Sequence, residues 1–270
     1  MSETTNASSS SETSSSSTEK YKFEILPEDH TNFDLSFKLI VIGDSGVGKS
    51  CLTNNAVKNI FDDSYNATVG FEFFTFNVKI NDKVVKLQIW DTCGQELYRS
   101  LITNFYRNSS LAIMVYAINS KESFENIEMW LRELRTHSNP DAKVFLIGNK
   151  IDLESDRQIT KEQGEQFCKD NKINGFMEAS AKTGINAQNI FIKAAETLYE
   201  DYIKYEKKKE ESGGKTDNNF GGQELRKRID NKPKKTQSFR IIREGVEKAG
   251  GVASSLGSTW DSMSKSYSYV

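Results

Sequence analysis

The residues GDSGVGKS at 43–50 fit the pattern GxxxxGK[ST]. Glycines in such a loop let the backbone wrap a phosphate, and the amides of 44–50 then point at negative charge. Lys49 would reach the outer phosphates of a nucleotide, and the Ser50 hydroxyl would ligate Mg²⁺. The loop follows an apolar run and precedes a helical stretch, the placement this chemistry requires. The base is addressed further along. GNKID occupies 148–152, with Asn149 standing 100 residues after Lys49. Guanine presents an N1–H and an exocyclic amine side by side. A carboxylate such as Asp152 accepts from both, whereas adenine offers no such donor pair.

Both segments need a sheet to hold them. FKLIVIG (37–43), LAIMVYAI (111–118) and KVFLIGNK (143–150) are continuous apolar runs, as expected of strands buried on both faces. GFMEAS (175–180) is a shorter one. FEFFTFNVKI (71–80) and VVKLQIW (84–90) flank Asn81-Asp82-Lys83 and read as a hairpin. Helical patterns lie between them. Phe124, Ile127, Trp130, Leu131 and Leu134 share one stripe, and Ile190, Ala194, Leu198 and Tyr202 another. Strands alternating with helices imply a parallel α/β sheet with right-handed crossovers, made mixed by the hairpin. Phosphate loop and GNKID then both meet the carboxyl edge of the strands, where such sheets bind ligands.

The net charge of −2 over 270 residues points to no particular partner, but its distribution does. Residues 1–36 carry seven acids against two bases, and 225–243 carry eight bases against one acid. The basic end is a candidate for an anionic surface. Residues 1–18 are Ser or Thr at 13 positions and have no bulky apolar side chain after Met1, so they cannot offset their ordering entropy. Three irregularly spaced cysteines exclude a disulfide framework and a zinc site, and fit a reduced, cytoplasmic setting. No membrane-span, signal-peptide or myristoylation pattern is present.

Read in order, these segments resemble the small GTPases of the Ras superfamily, and the Rab family in particular, over about 37–205. Rab-like features are TVGFEF (68–73), KLQIWDT (86–92), YRSLITNFYR (98–107) and WLRELR (130–135). The resemblance implies a P-loop NTPase fold of the small GTPase (G) domain class. Its sheet would be six-stranded, mostly parallel and flanked by helices. The domain would span 36–205, between disordered extensions at 1–35 and 206–270. It also implies GTP and GDP as ligands with Mg²⁺. Their contacts would fall on Asp44, Ser45, Gly46, Val47, Gly48, Lys49, Ser50 and Cys51 of the loop. Further contacts would be Phe61 over the base, Thr68 of switch I, and Asp91 and Gly94 of switch II in WDTCGQE (90–96). Asn149, Lys150 and Asp152 would read the base with Ser180, Ala181 and Lys182 of EASAK (178–182), the Ala181 amide meeting the base oxygen. Ser50 and Thr68 would hold Mg²⁺, with Asp91 on a metal-bound water. Thr68 and Gly94 would contact the γ-phosphate, and Gln95 would orient the attacking water. Hydrolysis would be slow without a helper protein. A monomer is expected, with no nucleic-acid partner. Exchange factors, activating proteins and effectors would read the switches across Phe73, Trp90 and Phe105. A core role for these aromatics is the rival reading.

Departures from the family pattern bear on function. Cys93 stands where most relatives have Ala, beside Gly94. A larger side chain there would slow hydrolysis or alter switching, unless it is simply tolerated. Leu97 and Ala117 replace residues common in relatives and affect partner identity. Ser45 is usual for Rab-like loops, and Cys51 reads first as helix packing. The last cysteine in the sequence is Cys168, so attachment without the prenyl anchor usual in the family is expected. In its place 241–267 is a candidate amphipathic helix. Ile242, Val246, Ala249, Val252, Ala253, Leu256, Trp260, Met263 and Tyr267 fall within an arc of about 120°. Glycines at 245, 250, 251 and 257 mean that such a helix forms only on a surface. Peripheral contact with an endomembrane, a groove on a partner protein, plain disorder and a nuclear address are all open to this tail. The function implied is a GTP-hydrolysing switch in membrane traffic. The alternative is a nucleotide-locked or soluble scaffold.

Overall fold

The computed structural model describes residues 20–62, 68, 71–92 and 105–211, and the backbone of 219–220 and 223–224. The expectations for Cys93, Gly94, Gln95, Leu97, residues 1–19 and the helix at 241–267 lie outside these residues.

Six strands appear where the apolar runs place them. They are β2 (Leu35–Ile42), β3 (Phe71–Ile80), β4 (Lys83–Thr92), β5 (Leu111–Ala117), β6 (Lys143–Asn149) and β7 (Gly175–Glu178). β2 pairs in parallel with β4 and β5, and β6 in parallel with β5 and β7. β3 and β4 form the antiparallel hairpin. Its turn is Asn81-Asp82, with Asn81 at φ 53° in the left-handed region that Asn tolerates. Lys83 already belongs to β4.

The sheet nevertheless has seven strands, not six. β1 (Phe23–Leu26) adds antiparallel to the outer edge of β3, giving the order β1-β3-β4-β2-β5-β6-β7. Part of the expected disordered extension 1–35 is therefore built into the domain. β1 is short and lacks a continuous apolar run, so only the apolar–polar alternation of YKFEI (21–25) marks it locally. Tertiary partners hold it instead. Asn77 Nδ2 donates to the carbonyls of Pro27 (2.8 Å) and Glu28 (3.2 Å). Tyr21 meets Tyr199 edge-on at 5.6 Å. Val84 N–H donates to Asp34 Oδ2 (2.8 Å) where the segment returns to the sheet.

Among the described residues five helices cover the sheet: α1 (Lys49–Lys58), α2 (Lys121–Glu125), α3 (Ile127–His137), α4 (Lys161–Asp170) and α5 (Ala187–Glu211). α5 runs past the expected boundary at 205. Ile127, Trp130, Leu131 and Leu134 of the first predicted stripe are buried on α3, with Phe124 half-buried on the separate α2; Ile190, Ala194 and Leu198 of the second are buried on α5, with Tyr202 half-buried. α1 and α5 pack one face of the sheet into a core with Phe76, Ile89 and Val115. α3 packs the other with Ile40, Met114 and Leu146. α4 went unread in the sequence, although Thr160 and Gln163 form a reciprocal capping box that marks its start. Among the described residues no helix is long and apolar enough to cross a membrane.

Candidate nucleotide-binding site

The loop 43–50 joins β2 to α1 and owes its path to its glycines. Gly43 sits at φ 138° against β5, where a Cβ would lie 2.2 Å from the Val115 carbonyl oxygen. Gly48 ends the loop at φ 92°, and a Cβ there would lie 2.5 Å from Asn149 Nδ2. Both positions exclude any side chain, for want of space and by conformation. The loop is braced from outside as well. Asn149 Nδ2 donates to the Val47 carbonyl (2.8 Å), and Lys150 Nζ to the Gly46 carbonyl (2.6 Å). Base motif and phosphate loop are thus one hydrogen-bonded unit. On the other side the Asp44 carboxylate accepts from Trp130 Nε1 (2.8 Å) and Asn126 Nδ2 (2.8 Å). Trp130 reads in the sequence only as core. It is core by burial, and it also aims the one buried donor of its ring at the loop. Lys49 is buried, and its Nζ donates to the Asp44 carbonyl (2.7 Å). Ser45 and Gly46 are exposed at the rim.

Three oxygens meet at the N-terminus of α1. Ser50 Oγ lies 2.6 Å from Thr68 Oγ1 and donates to Asp91 Oδ2. Asp91, one residue before the end of β4, is fully buried, and among the described residues its Oδ1 has no hydrogen-bond partner. Burial is the largest influence on this carboxyl and pushes it up to about 7, against the Ser50 hydroxyl and Lys49, with Glu72 adding to the rise. A hard divalent cation suits this corner, because it would take up the unsatisfied oxygen and favour the ionised form. Mg²⁺ fits the donors present: two hydroxyls and one carboxylate.

The base side is assembled from β6, β7 and the turns after them. Asp152 is exposed, and its Oδ1 accepts from Ser180 Oγ (2.5 Å). Ser180 Oγ accepts in turn from the Thr183 amide (3.0 Å), which fixes the direction of its own proton. The Ala181 amide, assigned to the base oxygen in the sequence, donates to Asn149 Oδ1 (3.1 Å). The Ala181 carbonyl accepts from the buried Asn55 of α1 (3.0 Å), a contact no local pattern predicts. Lys182 is exposed beside it. Phe61 follows the end of α1 and packs partly into the α1–α5 core. Cys51, on the first turn of α1, is half-buried, and burial raises its thiol above the usual range.

The expected partner aromatics form one cluster on the hairpin. Trp90 lies 5.2 Å from Phe73 and 5.3 Å from Phe105, ring centre to ring centre. Phe71 joins it at 4.8 Å from Phe105. Phe105 is buried, so only Phe73, Trp90 and Phe71 offer partly open surface. Lys38 Nζ sits 5.5 Å over the Trp90 ring and donates to the Arg107 carbonyl (2.8 Å). Its burial lowers the amine to about 8.

A doubly braced phosphate loop, a hydroxyl–carboxylate corner that suits Mg²⁺ and an exposed carboxylate, all at one sheet edge, make up a site fit for a nucleotide. The chain belongs to the Ras family, whose model matches residues 38–200. It is a Rab-like small GTPase that binds GTP and GDP with Mg²⁺ and hydrolyses GTP. Among curated proteins it is similar to Ras-related protein SEC4 of Candida albicans, 41% identical over 172 residues, 63% of this chain and 81% of the relative. The SEC4 proteins of strains WO-1 and SC5314 / ATCC MYA-2876 match to the same extent.

Proposed function

We propose that this protein is a Rab-type molecular switch that regulates intracellular membrane traffic through two nucleotide-dependent surfaces. The junction of Ser50, Thr68 and Asp91 carries this reading. Thr68 precedes β3 by three residues and Asp91 lies one residue before the end of β4, so the metal corner spans both arms of the hairpin that displays Phe73 and Trp90. A nucleotide that changes the corner changes the aromatic face, and partners reading that face would sense the change. Exchange factors, activating proteins and effectors would dock there. The likeness to Ras-related protein SEC4 and the Rab-like motifs support the traffic role.

Loop amides 44–50 and Lys49 would hold the phosphates, and Ser50 and Thr68 would hold Mg²⁺, with Asp91 on one of its waters; bound there, the ion would supply charge neutralisation to the phosphates. Gln95 orients the attacking water, Gly94 meets the γ-phosphate, and Asp152 with Ser180, Ala181 and Lys182 selects the base. Single-turnover hydrolysis by the full chain with Mg²⁺ should be slow and should fall further in Gln95→Leu. If wild type converts no GTP even with a stoichiometric excess of enzyme, the reading shifts to a nucleotide-locked scaffold.

Membrane attachment would come from the basic stretch 226–243 followed by the apolar arc centred on Trp260. Vesicles containing phosphatidylserine should bind the full chain, and Trp260→Asp should abolish most of that binding while Ser258→Asp, on the opposite face, keeps it. Equal behaviour of the two variants would remove the helix from the proposal.

A further inference from the structure

We propose that Arg157 is a positioning residue for guanine, locking the loop that bears Asp152 to the strand end that bears Ser180 and Ala181. This rests on the reading of Asp152 as the acceptor for the base.

Asp152 lies in the 3-10 turn Ile151–Asp156, which is irregular at Leu153 (φ −99°, ψ 41°). The turn is joined to the other base segment at its start, where the Ile151 amide donates to the Ala179 carbonyl (3.2 Å). Arg157 joins it at its end. Nη1 donates to Glu178 Oε1 (2.6 Å) and Nη2 to Glu178 Oε2 (3.1 Å), a two-pronged pair. Nε meets both Glu154 oxygens at 2.8 and 3.0 Å, and Nη2 meets Oε2 at 2.8 Å. Nη1 also donates to the Ile159 carbonyl (2.9 Å). One guanidinium thus spans the turn, the segment after it and β7.

Burial decides which of these contacts matters. The Arg157 and Glu178 side chains are only 17% and 14% exposed, whereas Glu154 is 66% exposed. An exposed pair contributes little, but breaking a largely buried one strands a charge. Glu178 closes β7 two residues before Ser180, the donor to Asp152 Oδ1. Its carbonyl also accepts from Asn186 Nδ2 (2.8 Å), so it is a fixed anchor. Loss of Arg157 frees the far end of the turn, and the Asp152 carboxylate loses its set distance from the Ser180–Ala181 amides. A lysine cannot replace it, because an ammonium has no planar fork to serve two carboxylates at once.

A general destabilisation and a loss of base positioning differ in nucleotide preference. Inosine diphosphate lacks the exocyclic amine that Asp152 accepts, so it gains less from a well-placed carboxylate. In the full chain, wild type should release GDP more slowly than inosine diphosphate. Arg157→Ala should speed GDP release about tenfold and inosine diphosphate release only about twofold, shrinking the preference about fivefold. Arg157→Lys should behave like the alanine variant. Glu178→Gln, which keeps size and shape, should shift the preference the same way, and Glu154→Gln should stay near wild type. Equal acceleration of both nucleotides in Arg157→Ala and Glu178→Gln would overturn the inference, leaving Arg157 a purely structural residue. A wild type that releases the two nucleotides at one rate would instead refute the guanine reading of Asp152, and the inference with it.

Discussion

Asp152→Asn should lower GDP and GTP affinity about a hundredfold while raising affinity for xanthine nucleotides. The direction follows from Ser180. Its hydroxyl accepts from the Thr183 amide and must therefore donate to residue 152. With asparagine there, that donation holds the amide oxygen on the Ser180 side and turns the NH2 toward the base. Guanine then meets a donor where its exocyclic amine needs an acceptor, whereas the 2-carbonyl of xanthine meets a partner. Two charge-assisted hydrogen bonds are lost for guanine, and together they account for about 3 kcal/mol, or about two decades of affinity. Competition titrations with GDP, xanthosine diphosphate and ADP read the result. If ADP competes as well as GDP in the wild type, Asp152 is not the selector.

The second large effect belongs to the metal corner. Ser50→Asn should weaken GTP binding about a hundredfold and GDP binding about tenfold, both only when Mg²⁺ is present. Ser50 Oγ lies between Thr68 Oγ1 at 2.6 Å and the buried Asp91 carboxylate. A longer amide cannot occupy that space and leave room for the metal. GTP would suffer more, because its γ-phosphate would share the cation with Thr68. Such a variant should hold exchange factors in a lasting complex. Titration with and without Mg²⁺ is the measurement, and wild-type GTP affinity in Ser50→Asn would show that the hydroxyl takes no part.

The hairpin aromatics show a graded kind of legibility. Phe73, Trp90 and Phe105 all have the residue type of a partner surface. Alternation along β3 puts Phe74, Phe76 and Val78 in the core and leaves Phe71 and Phe73 on the other face, which a period of two already suggests. Phe105 is different. It lies outside both strands, and its burial depends on how the chain brings it beneath Trp90 and Phe71. Strand periodicity has no hold on such a residue.

Contiguous chemistry is what the amino-acid order of this protein determined by itself. A phosphate loop is read from eight neighbouring residues because backbone amides in one short segment do the binding. Continuous apolar runs likewise specify buried strands, since no other placement hides both faces from water. The tertiary structure decided everything that rests on a pair distant in the chain. β1 is fixed by the hydrogen bonds that the edge of β3 offers it, since four strand-compatible residues are too few to specify a strand alone. Trp130 reaches Asp44 across 86 positions, Asn55 reaches Ala181 across 126, and Arg157 meets Glu178 across 21. A lone Asn, Arg or Trp carries no signal of its partner, because the energy of such a contact comes from burial and direction. Those two quantities exist only once the sheet has brought the segments together.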